Sequence, residues 1–380
     1  MAVRVYLKQA WNLMKQNPLF STLYIVGTGI SIVMTMVIAI VYYVRLAPVY
    51  PETNRMRTLV VKSAKMTNDE STHSANISYA MLKDWFYSLE SAEVSTGVSG
   101  TSYARVTNDK EEIPTYARYT DENFFRVFPL VFLEGKPFTE ADRRSGIHNV
   151  VLTDSYAQQL FGTTKGVVGK NFLMDYTNVK VVGVVKSGSF LTPDSYAQVY
   201  LPYSCRDGYD DEGSHWALGG YRVYILMKES KSVTDVQDEV LELVRKFNVS
   251  DMGDGWKLDL VGQPELYWHS TFRLWSNVAV DWGRVIWMFV GIFMVLLFVP
   301  AFNLSGMISA RMERQLPDLG IRKAFGASRR RLLVQIIWEN LLLTGLGTLL
   351  GLVIAWIVLA LSGYEIFSLF EVFPKFLTKG

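Results

Sequence analysis

Three long stretches of the chain break the usual mixing of apolar and polar positions. Residues 16–44, 285–310 and 340–364 carry no charged side chain over 29, 26 and 25 residues. A helix rises about 1.5 Å per residue, so each run can cross a hydrocarbon core of roughly 30 Å. Buried globular helices rarely stay charge-free for so long. The pattern predicts three membrane spans, placed at residues 18–44, 283–310 and 332–364. Pro18 suits the first turn of the first span, where a missing N–H costs nothing. That run is too long for the roughly 7–15-residue apolar core of a secretory signal, and no small-x-small site follows Val44. Before it, "VRVYLKQAWNLMKQ" sets Val5, Leu7, Trp11 and Leu13 among Arg4, Lys8 and Lys15. Residues 1–17 therefore read as an amphipathic helix lying in the interface, with Trp11 at headgroup level.

Between the first two runs, over residues 45–282, the periodicity shortens and alternates. "RTLVVKSAK" (57–65) has strand character, and "ISYAMLKDWFYSLE" (77–90) places Ile77, Met81, Leu82 and Trp85 on one helical face. "NVVLTDSYAQQLFG" reads as a strand, a helix opening at Thr153 or Asp154, and a stop at Gly162. "NFLMDYTNVKVVGVVK" reads as a hairpin turning at 175–178, and "YRVYILMKE" with "VTDVQDEVLELVRKF" as a strand followed by an amphipathic helix. The expected fold class is an integral membrane protein with three helical spans and a large extracytoplasmic α+β domain of two lobes.

Charge fixes the orientation. The whole chain is nearly balanced, with 38 Lys and Arg against 36 Asp and Glu. Residues 311–331, "RMERQLPDLGIRKAFGASRRR", hold seven basic side chains against two acids. The positive-inside rule puts that loop in the cytoplasm. The amino terminus is then cytoplasmic as well, while the 240-residue connection (45–284) and the tail (365–380) lie outside. The one cysteine, Cys205, can form no internal disulfide, so the outer domain must rely on its core.

Candidate chemistry adds little. His73, His148, His215 and His269 are dispersed without metal-ligand spacing. "GTTKGVVGKN" has neither the glycine spacing of a phosphate loop nor its Ser or Thr, since Asn171 stands in that place. There is no G-x-S-x-G, and the pairs Glu111–Glu112 and Asp210–Asp211 sit in polar loop contexts. No catalytic constellation, metal site or resident cofactor is expected, and nucleic acid is not an expected partner.

Several stretches resemble one family, the FtsX/MacB-like permeases of ABC transporters. "DLGIRKAFGASRRRLLVQIIWENLLLTGLGTLLGLVIA" (318–355) is similar to that family's E-I-G-I-R-K-A-x-G-A-S motif and the span after it. "TDENFFRVFPLVFLEGKPFTEAD", "VVLTDSYAQQLFG", "VVGKNFLMDYTNVKVVGVVK" and "VYLPYS" resemble its periplasmic core domain, and the opening "LKQAWNLMKQNPLFSTLYIVGTGIS" also fits. The resemblance implies a bacterial inner-membrane permease working with a separate cytoplasmic ATPase, which would hold the ATP and magnesium, because no Walker motif occurs here. It also implies a second permease copy or paralogue, with a periplasmic adaptor or outer-membrane channel as further candidates. Such permeases usually have a fourth span. The 16 residues after Tyr364 are too short and too charged to supply it, so a truncated chain or a completing partner is expected.

The basic loop has two readings. As a topology anchor it would meet anionic lipid headgroups, worth about 1 kcal/mol per nearby Lys or Arg. As a docking element it would use Leu319, Ile321, Ala324 and Phe325, with Arg322 and Lys323 directed elsewhere. Gly326 suits the residue closing a short helix, and Ser328 the N-cap of the next. By resemblance the coupling set is Arg311, Glu313, Arg314, Asp318, Leu319, Gly320, Ile321, Arg322, Lys323, Ala324, Phe325, Gly326, Ala327 and Ser328. Glu339 is expected near the inner interface, pairing with Arg331, with an arginine of a neighbouring chain, or snorkelling. Gly27 with Ser31, and Gly347 with Gly351, are small-xxx-small pairs suited to close helix contact. The expected function is mechanical, with ATP hydrolysis in the partner driving work by the outer domain on a periplasmic client. The alternatives are a regulator of an envelope hydrolase and a membrane-anchored sensor or scaffold without an ATPase.

Overall fold

The computed structural model describes residues 11, 15, 18–100, 102–108, 111–189, 192–210, 216–250, 255–325 and 328–361. They form two compact units, one of Val44–Asp281 and one of Met1–Tyr43 with Trp282–Gly380. Helices α1 (Pro18–Leu46), α7 (Trp282–Ala324) and α8 (Arg329–Leu361) belong mainly to the second. Trp11 and Lys15 are helical and exposed, the Lys15 ammonium lying 5.7 Å from the Trp11 ring centre. The rest of 1–17, and 362–380, lie outside the described residues.

The outer unit is built from fifteen described strands in two sheets. The chain begins the first sheet with β1 (Thr58–Val61), β2 (Ala64–Thr67), β3 (Thr72–Ile77) and β4 (Ala92–Ser99). It then builds the second with β5 (Ser102–Asn108), β6 (Glu111–Thr120), β7 (Phe132–Gly135), β8 (Asn149–Thr153), β9 (Asn171–Met174), β10 (Thr177–Val185) and β11 (Val199–Pro202). Finally it returns to the first with β12 (Leu218–Gly219), β13 (Tyr221–Met227), β14 (Lys257–Asp259) and β15 (Glu265–Leu266). The second lobe is thus an insertion in the first. Its strands close on themselves: β10, β8, β11, β6, β5 and β9 form a ring in which β9 pairs back onto β10, and β7 hangs on β10.

Strand periodicity explains why the central strands are apolar on both faces. Successive side chains point to opposite sides. Leu59, Val61, Val223 and Ile225 therefore pack with Met81, Leu82, Val236 and Val240 of helices α2 (Tyr79–Asp84) and α6 (Val233–Val249). Their neighbours Val60, Tyr224 and Leu226 face the other way, onto Phe124, Phe125 and Phe128 around α3 (Phe124–Val127) and onto Val151, Val185 and Tyr200 of the inserted lobe. Alternate residues of the ring, Val150, Leu152, Val199 and Leu201, pack with Tyr156, Ala157 and Leu160 of α5 (Asp154–Phe161). Between α3 and α5 lies α4 (Glu140–Arg144), opened by a capping box of Thr139 with Asp142.

Local structure departs from the sequence expectation in three places. The 57–65 strand divides in two, because the buried Gln263 carboxamide takes the Lys62 amide at 2.6 Å and donates to the Ser63 carbonyl at 3.0 Å. The 77–90 helix ends at Asp84 and tightens into a 3-10 turn, with the Ser88 hydroxyl donating to the Asp84 carbonyl at 2.8 Å. The hairpin turns on two residues, Asp175 (φ 46°) and Tyr176 (φ 64°), leaving Thr177 and Asn178 in the ladder. The Asp175 carboxylate holds this turn by accepting from the Arg105 amide at 2.8 Å.

Buried polar groups join the lobes. Asp121, after β6, accepts from the Tyr87 hydroxyl (2.6 Å), the Thr96 hydroxyl (2.6 Å) and the Gly97 amide (2.8 Å). From the loop before β11, Asp194 reaches Lys62 (3.4 Å) and Arg222 (3.3 Å). Burial works to raise the Asp194 pKa, but Lys62, Arg222 and Arg118 outweigh it and hold the carboxyl well below the usual range. Because the folded pKa is depressed, this stabilisation is fully present above the ordinary carboxylate pKa of about 3.9 and is lost as pH falls below it. Asp194→Asn should cost about 3–5 kcal/mol at pH 7. It should also flatten the loss of stability below about pH 4. Urea titrations of wild type and variant at pH 7 and pH 3 check both; equal slopes with pH would refute the assignment.

Candidate functional site: an exposed helical tip and a close helix contact

The second charge-free run and the first half of the basic loop form one helix. Residues 311–324 continue α7 without a break, giving 43 residues from Trp282. A short separate helix was expected there; Arg, Met, Glu, Gln, Leu, Lys and Ala all favour helix, so nothing but Pro317 and Gly320 opposes propagation. At about 1.5 Å per residue α7 is about 65 Å long, twice a hydrocarbon core. Only residues 325–328 separate it from α8, which begins at Arg329 directly after Ser328. The helix opens where Ser328 is placed as its N-cap by the sequence, and its apolar stretch is Asn340–Val358.

The end of α7 is the exposed part. The Phe325 amide donates to the Ile321 carbonyl at 3.0 Å, closing the last turn and setting the two side chains one above the other. Phe325 is 89% exposed and Ile321 57%. Pro317, Gly320, Ala324, Ser328 and Arg330 are exposed too. An aromatic ring so open to water at a helix end is unusual enough to ask for a partner. Gly326 and Ala327 lie outside the described residues, as do the side chains of Arg311, Glu313, Arg314, Asp318, Leu319, Arg322, Lys323 and Glu339.

Helices α1 and α8 approach backbone to backbone. Buried positions on α8 recur every fourth residue at Leu343, Gly347, Gly351 and Ala355. Facing them are Tyr24, Thr28 and Gly29 of α1. A Cβ on Gly347 would lie 2.8 Å from the Thr28 Cβ and 3.0 Å from the Ile25 carbonyl oxygen. One on Gly351 would lie 2.7 Å from the Gly29 carbonyl oxygen. The Tyr24 and Thr344 hydroxyls meet at 3.0 Å. Sequence spacing singled out Gly27 and Ser31 on α1, whereas the α8 glycines meet Ile25, Thr28, Gly29 and Ile32. Ser31 instead donates its hydroxyl to the Gly27 carbonyl of its own helix at 3.0 Å. Gly29 carried no usable signal, since its partners are on another helix more than 300 residues away. At the other end of α1, Tyr42 packs on Phe289 of α7 with ring centres 4.9 Å apart.

Comparison with known proteins assigns most of the chain to two family models. Residues 20–243 match the MacB-like periplasmic core domain, and residues 277–378 the FtsX-like permease C-terminal domain. The chain belongs to the MacB/FtsX-like ABC transporter permease family. It is 22% identical over 268 residues to the macrolide export ATP-binding/permease protein MacB of Escherichia coli O157:H7, covering 69% of this chain and 39% of that one. It is 25% identical over 237 residues to the pyoverdine export ATP-binding/permease protein PvdT of Pseudomonas entomophila (strain L48), covering 61% and 34%. The chain thus spans little more than a third of the length of these curated relatives. The crystal structure of the periplasmic region of MacB from Actinobacillus actinomycetemcomitans aligns at TM-score 0.37 and 16% identity, over 52% of this chain and 88% of that one. As a member of this family the protein is a membrane permease with a large α+β periplasmic domain, and two of its described helices hold apolar stretches long enough to cross, Ser21–Ile40 and Asn340–Val358.

Proposed function

We propose that the chain is the permease subunit of an ABC exporter that crosses the inner membrane three times and docks a separate ATPase on the tip between α7 and α8. The third crossing would be α7. Its contact with Tyr42 sets Phe289 level with the outer end of α1. Counting about 20 residues down for a hydrocarbon core reaches roughly residue 309, just before Arg311. The 14 residues from 311 to 324 would then project about 21 Å into the cytoplasm. Residues 329–339 of α8 would project about 16 Å alongside them, ahead of the apolar stretch.

The observation that carries this reading is the open Phe325–Ile321 pair at the end of so long a projection. ATP-driven closure of the partner would move that tip, and helices α1 and α7 would pass the motion to the outer domain. The domain would then do its work on a client by adopting two states of different affinity. ATP and magnesium would be bound by the ATPase, and a second permease copy would complete the assembly.

The test is purification of the intact chain from its own membranes in mild detergent, with mass spectrometry of what accompanies it. A stoichiometric ATP-binding cassette ATPase is expected. Its absence from a preparation in which the chain is intact and folded would favour a membrane-anchored sensor or scaffold.

A further inference from the structure

The nine residues following α1 hold a buried polar hub. Glu52, Arg55, Ser195 and Tyr267 are 1%, 3%, 0% and 4% exposed. One oxygen of the Glu52 carboxylate accepts from Arg55 Nε at 2.9 Å and from the Tyr267 hydroxyl at 2.8 Å. The other accepts from the Ser195 amide (3.1 Å) and hydroxyl (2.7 Å). Arg55 in turn donates to the Ala47 carbonyl at 2.7 Å, closing residues 47–55 into a compact strap.

The partners divide by lobe. Tyr267 and the Thr58 hydroxyl, which donates to the Asn54 carbonyl at 2.9 Å, tie the strap to the first lobe. Ser195, Lys186, Val131 and Val127 tie it to the inserted lobe and the segments at its border. The Tyr50 hydroxyl donates to the Lys186 carbonyl (2.9 Å) and accepts from the Val131 amide (3.1 Å), and Asn54 Nδ2 donates to the Val127 carbonyl (3.3 Å). The chain leading to α7 is held by the first lobe instead. The Tyr267 amide donates to the Thr58 carbonyl (2.9 Å), Arg273 pairs with the buried Glu265, and Arg273 Nη2 donates to the Val261 carbonyl (2.8 Å).

We infer that residues 47–55 are a transmission strap that delivers movement of α1 to the inserted lobe, while residues 265–273 deliver movement of α7 to the first lobe, with Glu52 as the latch between them. A displacement of one helix against the other would thereby become a displacement of one lobe against the other. The inference rests on the mechanical reading of the function, but its geometry does not depend on an ATPase. A carboxylate buried with three donors from Arg55 and Tyr267 on one oxygen and two from Ser195 on the other is rigid, because each lost partner leaves a buried group unsatisfied.

The test uses the full chain in lipid nanodiscs without ATPase, with Cys205→Ser as background and spin labels in two pairs. One pair joins the end of α1 to the inserted lobe (Tyr43→Cys with Tyr176→Cys). The other joins the chain before α7 to the same lobe (Val278→Cys with Tyr176→Cys). All three positions are at least 49% exposed. Ser195→Ala combined with Tyr50→Phe should at least double the width of the first distance distribution and leave the second within a fifth of its original width. Tyr267→Phe should do the reverse. Equal broadening of both pairs by both variants would mean general loosening and would overturn the inference, as would no broadening in a folded protein. Because no ATPase is present, failure of the proposed partner leaves this result untouched.

Discussion

Phe325→Ala should reduce recovery of the partner ATPase by roughly ten- to a hundredfold while leaving the chain inserted in the membrane. Fully burying an aromatic ring is worth about 1.5–3 kcal/mol, and each 1.4 kcal/mol is tenfold in affinity. Phe325 is 89% exposed, so almost all of that gain remains available to a partner. The basic side chains nearby offer much less, since exposed ion pairs contribute about 0–1 kcal/mol and weaken with salt. Arg329→Gln with Arg330→Gln should therefore disturb orientation or lipid dependence first and ATPase recovery only slightly. The measurement is a pull-down of the ATPase on each variant, with surface labelling as the insertion control. Equal recovery from wild type and Phe325→Ala would return the basic segment to a topology anchor.

Gly351→Leu should loosen the pairing of α1 with α8 severely, and Gly345→Leu on the same helix should not. A Cβ at 351 meets the Gly29 carbonyl oxygen at 2.7 Å and the Ile32 Cβ at 3.0 Å, so the obstacle is backbone and branched carbon, which cannot swing aside. At Gly345 a Cβ meets nothing within 4 Å. Overpacking of this kind costs on the order of 1–3 kcal/mol, enough to lower the melting temperature by on the order of 5 °C in detergent. A sharper readout uses spin labels at Leu23→Cys and Leu341→Cys in a Cys205→Ser background, since both positions are exposed and flank the Tyr24–Thr344 hydrogen bond. Their distance distribution should stay equally narrow in the parent and in the Gly345→Leu background, and at least double in width with Gly351→Leu. Equal distributions in all three would remove the close contact from the account.

What the sequence discloses is the part written in local periodicity. The charge-free runs, the start of α1 at Pro18, the opening of α8 after Ser328 and the span of α5 from Thr153 to Gly162 all follow from side chains within a turn or two of each other. The insertion of one lobe in another does not. β4 and β12 are separated by 118 residues of sequence yet share a sheet, and only the apolar faces of β1 and β13 hint that both sides are covered. The division of the 57–65 strand depends on Gln263, about 200 positions away, and no local pattern could announce it. For the candidate site the contrast is similar. The motif around Ile321 and Phe325 was visible as apolar residues framed by charge, whereas Gly29, and Glu52 beyond its local pair with Arg55, matter through partners distant in the chain. A lone Glu between Pro51 and Thr53 looks like any loop carboxylate until Ser195 and Tyr267 are placed on it.

The central claim is that an ATPase docks at the end of α7, and the most direct measurement places a photo-crosslinking amino acid at position 325 of the intact chain in living cells. Illumination should join the chain to a single cytoplasmic protein, identified by mass spectrometry as an ATP-binding cassette ATPase. The same probe at Leu241, exposed on α6 of the outer domain, should give no such product. Crosslinks from position 325 to lipid alone, or to periplasmic proteins, would contradict the account.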